Sequence, residues 1–388
     1  MTARAMHVAI AVLLAAPGAI PAAADWPMLR ADAMRSGIAG EGPGGPVEVL
    51  WSADLGGSVD GSPAVVDGKV FVGNSLGVIH AVSAEDGAVL WRFEAGGALV
   101  SSPAVVDGIV IVGSADGFIY AVDVESGAQA WCYRTRGAIV SSPAIVDDRV
   151  IFGSMDGRLY CLSVSDGSLA WRSERGAGIQ SSPAVAGDLV LYGDDEARMR
   201  ALSLADGSVA WEIEGAGRVV AAPVVGDEVA IFGVMGPSAL RPPKVDYLIT
   251  VRPDTGERVW ALNDSYSVLG APLIRGDSVF FATIEGYVSK TVMRSVALAD
   301  GELQWERTMP GVIDSSPALI PANGGFEAGG AVCVGCHDGR LYLIDAASGR
   351  VADARPLAQK IYSSPAVSDG RVFIGASDGH LYCLGGRE

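Results

Sequence analysis

A unit of about forty residues is written eight times along this chain, and it restricts the possible folds more than any other feature. One copy opens at Ser101-Ser102-Pro103-Ala104-Val105-Val106-Asp107-Gly108 and runs through an apolar stretch to Gly113. It then turns at Ser114-Ala115-Asp116-Gly117, continues from Phe118 to Asp123, and closes on Gly127 and Trp131. The corner prolines are Pro63, Pro103, Pro143, Pro183, Pro223, Pro272, Pro317 and Pro365, the first five spaced forty residues apart. Asp-Gly between alternating apolar runs is a hairpin signal, because the tight turn needs positive φ and glycine adopts it without steric cost. Each copy therefore holds four short antiparallel strands, and units of that size and content are blades of a β-propeller. The last copy stops after its third strand at Leu384, while an orphan strand at Val47 to Ala53 carries Trp51. The expected fold is all-β: an eight-bladed propeller of four-stranded antiparallel blades, its ring closed by the N-terminal strand, which removes two open sheet edges.

A chain of 388 residues would ordinarily suggest two domains, but the fixed period points to one, and 51 glycines suit many tight turns. Residues 1–24 run from Arg4 through an apolar core, Val8 to Ala16, to Ala22-Ala23-Ala24, the three-part pattern of a secretory signal peptide. An irregular Gly/Pro-containing leader over 25–46 follows, and the propeller is expected over 47–388. The net charge of −17 repels polyanions, so nucleic acid and anionic membrane surfaces are poor partners. Five cysteines are an odd set, so at least one is free. Cys161 and Cys383 take the place of Ala81, Ala121 and Ala201 in other copies, which marks them as small buried residues.

The repeated residues have structural reasons. Proline lacks an N–H and suits the innermost strand, an edge facing the central channel. Trp51, Trp91, Trp131, Trp171, Trp211, Trp260 and Trp305 fall at the blade-to-blade crossovers. A side chain of that size buries about 150–250 Å², worth roughly 4–6 kcal/mol before entropy, and should cement neighbouring blades. Asp353 stands at the matching place in the seventh blade, so that junction should be the weakest. Ser-Ser-Pro carries no nucleophile elbow and is structural.

Departures from the period mark where specific surface grows. The fifth blade has extra residues over Val234 to Asp246 and the sixth around Ile284 to Lys290, both between second and third strands and so side by side on one face. Leu240, Arg241, Lys244 and Tyr287 there are candidate partner contacts. The seventh blade grows at Pro321 to Phe326, on the opposite face.

Gly127 four residues before Trp131, with Ala121 and Asp123 upstream, resembles the tryptophan motif of pyrroloquinoline-quinone (PQQ)-like repeat propellers. Asp206-Gly207, Asp254-Thr255-Gly256 and Asp300-Gly301 precede their tryptophans similarly, and Asp25-Trp26-Pro27 looks like the opening of exported members. The resemblance covers Asp25 to Glu388 and implies one of two roles. Quinoprotein alcohol and sugar dehydrogenases hold PQQ and Ca²⁺ in the central funnel. Binding propellers, such as those of outer-membrane barrel assembly, dock protein partners; the lipid-attachment cysteine of that type is absent here.

Three residues before each corner proline stand Asp60, Val100, Val140, Gln180, Val220, Leu269, Asp314 and Tyr362, the expected funnel mouth; five before, Arg218 and Lys360 are the cations. Two carboxylates fall short of the six to eight oxygens Ca²⁺ takes, and few cations face a tricarboxylic quinone. Cys333-Val334-Gly335-Cys336-His337 fits the haem-attachment motif, but the repeat places its cysteines along one strand, about 10 Å apart on opposite faces. His80, His337 and His380 fall in separate blades without metal spacing, and Asp194-Asp195-Glu196 reads as a solvated turn.

The sequence thus leads to a monomeric, periplasmic or secreted, non-catalytic platform for a protein partner in the cell envelope, with no cofactor or metal and no membrane span. The alternative is a small PQQ- and Ca-dependent dehydrogenase acting on an alcohol or sugar.

Overall fold

A computed structural model describes residues 25–236, 244–285, 290–322, 326, 329–357 and 359–386, apart from the side chain of Lys290. The signal-peptide reading of residues 1–24 lies outside them, as do Leu240, Arg241 and Tyr287. Within the described residues the chain forms eight antiparallel sheets arranged as an eight-bladed propeller. The first blade comprises Ala64–Val66, Lys69–Gly73, Val78–Ser83 and Val89–Glu94, paired in chain order from the channel outwards. In the last blade Ala366–Ser368, Arg371–Gly375 and His380–Gly386 take Val47–Asp54 as fourth strand, with Ala53 opposite Leu381 and Asp54 opposite His380. No helix among the described residues is long and apolar enough to cross a membrane.

Strand alternation explains the core. In Lys69–Gly73 and its counterparts nearly every side chain is buried, because second strands have blades on both sides. Outer strands such as Val89–Glu94 alternate between half-buried and exposed.

The tryptophans join blades as the repeat implies, through a specific lock. The Trp131 indole N–H donates to Val164 O of the next blade at 2.8 Å, and Trp91 donates to Val124 O, also at 2.8 Å. The ring lies on the glycine of that blade's last turn: a Cβ on Gly167 would come within 2.6 Å of Trp131 Cε3. Gly167 also has φ of +70°, so backbone and neighbour both demand glycine there.

The departures from the period lie where the spacing puts them. The fifth-blade excursion joins Ala230–Gly233 to Val245–Val251, and the sixth-blade one prolongs the hairpin of Ser278–Glu285 and Lys290–Ala297. The prolonged hairpin pairs with an extra piece, Tyr266–Ser267. Strands beside the two excursions touch: Tyr247 meets Tyr266 edge-on at 5.4 Å, and Arg294 lies 4.4 Å over the Tyr266 ring. The seventh-blade insertion falls between Ala318–Ile320 and Ala331–Gly335, a first-to-second-strand connection on the other face.

The leader is irregular and packs against the propeller, Trp26 exchanging backbone hydrogen bonds with Val65. One reading needs correction. Asp194 is no solvated turn residue: it is fully buried, its Oδ1 accepting the N–H groups of Glu196 and Arg198 at 2.9 and 3.0 Å. It does there what Asn74 does in the first blade, where Oδ1 accepts from Leu76 and Val78.

Candidate functional site: the channel and its mouth

The leader runs across the inner edges of the blades and into the channel. Trp26 exchanges two backbone hydrogen bonds with Val65, and Pro27 O, Ala33 O, Met34 O and Gly37 O accept from Val105, Val185, Val225 and Leu319. An inner strand has an unused edge, and the leader covers that edge in five blades.

Two arginines carry the leader inwards. Arg35 donates through Nε to Pro183 O at 2.9 Å and through Nη2 to Ser142 O and Pro143 O at 3.1 and 3.0 Å. Arg30 donates through Nη1 to Ala271 O and Pro317 O, at 3.2 and 3.0 Å, and through Nε to Arg35 O at 2.8 Å. The corner carbonyls of blades 3 and 4 are thereby tied to those of blades 6 and 7 through two guanidiniums in the channel. Arg30 is 2% and Arg35 0% exposed. Burial pulls the Arg30 pKa down to about 9 and that of Arg35 to about 10, still above neutral, so both stay charged against neutral acceptors. Left-handed backbone at Arg30, Ala31 and Arg35, with φ of 60°, 71° and 62°, coils the segment tightly enough to aim both side chains inwards.

Around this plug the second serine of each corner forms a partial belt. Ser62 N donates to Ser102 Oγ, Ser102 N to Ser142 Oγ and Ser142 N to Ser182 Oγ, each at 2.9 Å. The belt resumes from Ala271 N to Ser316 Oγ, Ser316 N to Ser364 Oγ and Ser364 N back to Ser62 Oγ. It is interrupted between Ser182 and Ala271, where Ala222 stands in the serine's place. The second corner serines thus bond one blade to the next.

Of the residues expected at the mouth, Gln180 and Arg218 gather at Asp195, and Asp314 and Tyr362 gather at His337, two residues that the expectation did not include. Asp195 accepts from Gln180 Nε2 at 3.0 Å and from Arg218 Nη2 at 2.8 Å, linking blades 4 and 5. On the other side His337 Nε2 lies 3.1 Å from Asp314 Oδ2, and the His337 ring meets Tyr362 edge-on at 4.4 Å. The signal for both was available, since Asp195 and His337 occupy the same turn position as Ala115. Asp60 accepts from Ser58 Oγ at 2.5 Å, and Lys360 is exposed. Of the candidate partner contacts Lys244 alone is described; it is exposed and pairs with Asp264 Oδ1 at 3.2 Å.

These residues do not fit a tricarboxylic quinone with Ca²⁺. Arg218 is already committed to Asp195, while Asp60 and Asp314 present negative charge to an anionic ligand. Among the described residues no group of three or more His, Cys, Asp or Glu is placed to hold a metal ion. The cysteines do not fit covalent haem: Cys333 and Cys336 are both fully buried and pack in different core clusters. All five cysteines are free, and burial pushes the thiol pKa of Cys336 up to about 12 and that of Cys333 higher still.

Fold and motif together define a PQQ-like repeat β-propeller. A family model described as the beta-propeller of beta-alanine-activating enzyme matches residues 55–385, and the chain belongs to that propeller family. Among solved structures it is similar to BamB from Moraxella catarrhalis, with 18% identity and a TM-score of 0.70 over 87% of this chain and 97% of that one. It is also similar to quinohemoprotein alcohol dehydrogenase from Comamonas testosteroni, with 14% identity and a TM-score of 0.75 over 94% and 81%. A europium-containing methanol dehydrogenase matches at 13% identity and a TM-score of 0.72 over 94% and 98%. At such identities the likeness is one of fold. No curated protein matches the sequence significantly.

Proposed function

We propose that this chain is an exported, non-catalytic propeller that docks a protein partner in the cell envelope, acting as a monomer in the periplasm or outside the cell. The observation that carries this reading is the plug. The channel in which a dehydrogenase of this fold class holds its quinone is occupied by the chain's own Arg30 and Arg35, at 2% and 0% exposure. With the funnel spent on structure, the surface that varies from blade to blade is left for recognition, foremost the adjoining excursions of blades 5 and 6 with Lys244, Leu240, Arg241 and Tyr287.

Fold likeness alone supports the dehydrogenase reading equally, since both kinds of protein stand among the similar structures. The plug and the committed mouth residues favour docking. The test is to purify the protein from its native envelope, record its absorption spectrum and crosslink it. A colourless protein with one recurrent crosslinked partner is expected. A quinone spectrum with dye-linked oxidation of an alcohol or sugar would overturn the proposal.

A further inference from the structure

Among the described residues the leader leaves the inner edges of three blades without a backbone bond, and one of them opens onto a groove. In each blade the residue two after the corner proline faces the second strand without bonding to it: Val65 lies opposite Val70, Val225 opposite Ala230 and Ile274 opposite Val279. Its N–H points to the channel instead, which is why Val65, Val105, Val185, Val225 and Leu319 all donate to the leader. Between Met34, bonded to Val225 of blade 5, and Gly37, bonded to Leu319 of blade 7, the leader passes over blade 6. Ile274 N–H consequently has no backbone partner among the described residues.

Ile145 and Val367 are also without one, but they are buried in the clusters of Met28 and Trp26. Ile274 is half-exposed and borders a groove of about 710 Å³ between blades 5 and 6. Three apolar side chains on its wall face solvent: Met34, Ile38 and Val259, at 40%, 41% and 43% exposure. Its rim carries Asp227, Glu228 and Asp277, none with an ion-pair partner among the described residues. Of the rim cations, Arg252 lies 3.7 Å from Glu257, which leaves Arg275 as the uncommitted one.

We propose that this edge is the docking site for an extended segment of a protein partner, apolar at its centre and flanked by lysine or arginine. The proposal rests on the docking reading above and places a contact on the face opposite Lys244. The leader supplies the template, because in five other blades the corresponding N–H already donates to a leader carbonyl, and at Trp26 and Val65 the pairing runs both ways, as between strands. The unpaired Ile274 N–H gives such a segment a main-chain bond, as in strand addition generally, while the apolar wall receives its side chains and the acidic rim its charges.

The test is to select a displayed library of seven-residue peptides against the folded protein, then measure binding of an enriched synthetic peptide to wild type and to Val259→Asp, Ile38→Asp and Lys244→Ala. Both groove side chains are exposed, so the aspartates should fold, which circular dichroism checks. Enriched peptides should carry an apolar residue between basic ones and lose binding at least tenfold in both groove variants but not in Lys244→Ala. Bound peptide should also slow exchange of the Ile274 amide. Failure of any peptide to enrich, or binding indifferent to both aspartates, overturns the groove proposal. Binding lost only in Lys244→Ala overturns it too, yet leaves the docking function standing on the opposite face.

Discussion

The backbone N–H of Val47 donates to Asp353 Oδ2 at 2.9 Å, tying the start of the closing strand to the seventh blade. Arg355 Nε reaches the same oxygen at 3.0 Å. Every other junction uses a tryptophan seated on the glycine of the next blade's last turn. In the closing blade no such turn links third to fourth strand, because the fourth is Val47–Asp54. With no glycine to receive an indole, a carboxylate that caps the incoming strand takes the position.

Asp353→Ala should therefore loosen the seam selectively. Loss of a charged acceptor is worth about 1–3 kcal/mol, and amide exchange over Val47–Asp54 should quicken more than in the first blade. Asp353→Trp should not restore it, having no glycine to pack on. Unchanged exchange at the seam in the alanine variant would refute this role.

Two glycines of similar backbone separate packing from conformation. Gly108 has φ of +75° with open space around it, whereas Gly167 has φ of +70° and faces Trp131. Gly108→Ala should cost roughly 1 kcal/mol from backbone strain, and Gly167→Ala about 2–4 kcal/mol, since the indole must also shift. Denaturant unfolding of the two variants measures the difference; equal losses would argue against the lock.

His80 gives a pH dependence. It is 2% exposed, and burial, helped by Arg92, lowers its pKa to about 4 from 6.5. The unfolded chain takes up a proton below 6.5 that the folded chain refuses until about 4, so stability present above pH 6.5 is lost as pH falls through that window. The loss is roughly 3 kcal/mol. His80→Phe should flatten the stability curve between those limits; a variant with the wild-type slope would show that other groups set it.

The plug predicts that Arg35 cannot be replaced even by lysine. Its guanidinium serves Pro183 O, Leu29 O, Ser142 O and Pro143 O from one planar fork. An ammonium on a single stem leaves several of these carbonyls unpaired, at about 1–3 kcal/mol each. Arg35→Lys should thus destabilise by several kcal/mol in chemical denaturation, and a near-neutral result would mean that the channel tolerates loss of the plug.

The blades, their closure and the sites of the excursions were legible because each rests on local chemistry that recurs: Asp-Gly turns, corner prolines and spaced tryptophans. The plug was not, because Arg30 and Arg35 are read by carbonyls up to 287 residues away. Nothing in Ala31 to Ser36 announces which backbone it will meet. Asp195 and His337 were readable by alignment of the copies, as replacements of Ala115, but their partners Arg218 and Asp314 lie in crossovers whose direction the repeat does not state. Gln180 was singled out by its distance from its corner proline, as were Asp314 and Tyr362, and the last two meet at His337.

The leader has a further consequence for the order in which the molecule comes together. Trp26 finds Val65 early, but Arg30 waits for Pro317 and Val47 for Gly386. Arg30 and Val47, synthesised early, are among the last residues to be satisfied. Seven blades can condense from contacts close in sequence, while plug and seam must await nearly the whole chain, and contacts of such separation form slowly. Until they do, the ring is an open crescent with bare inner edges, and this interval is when the nascent protein is most exposed to wrong pairing.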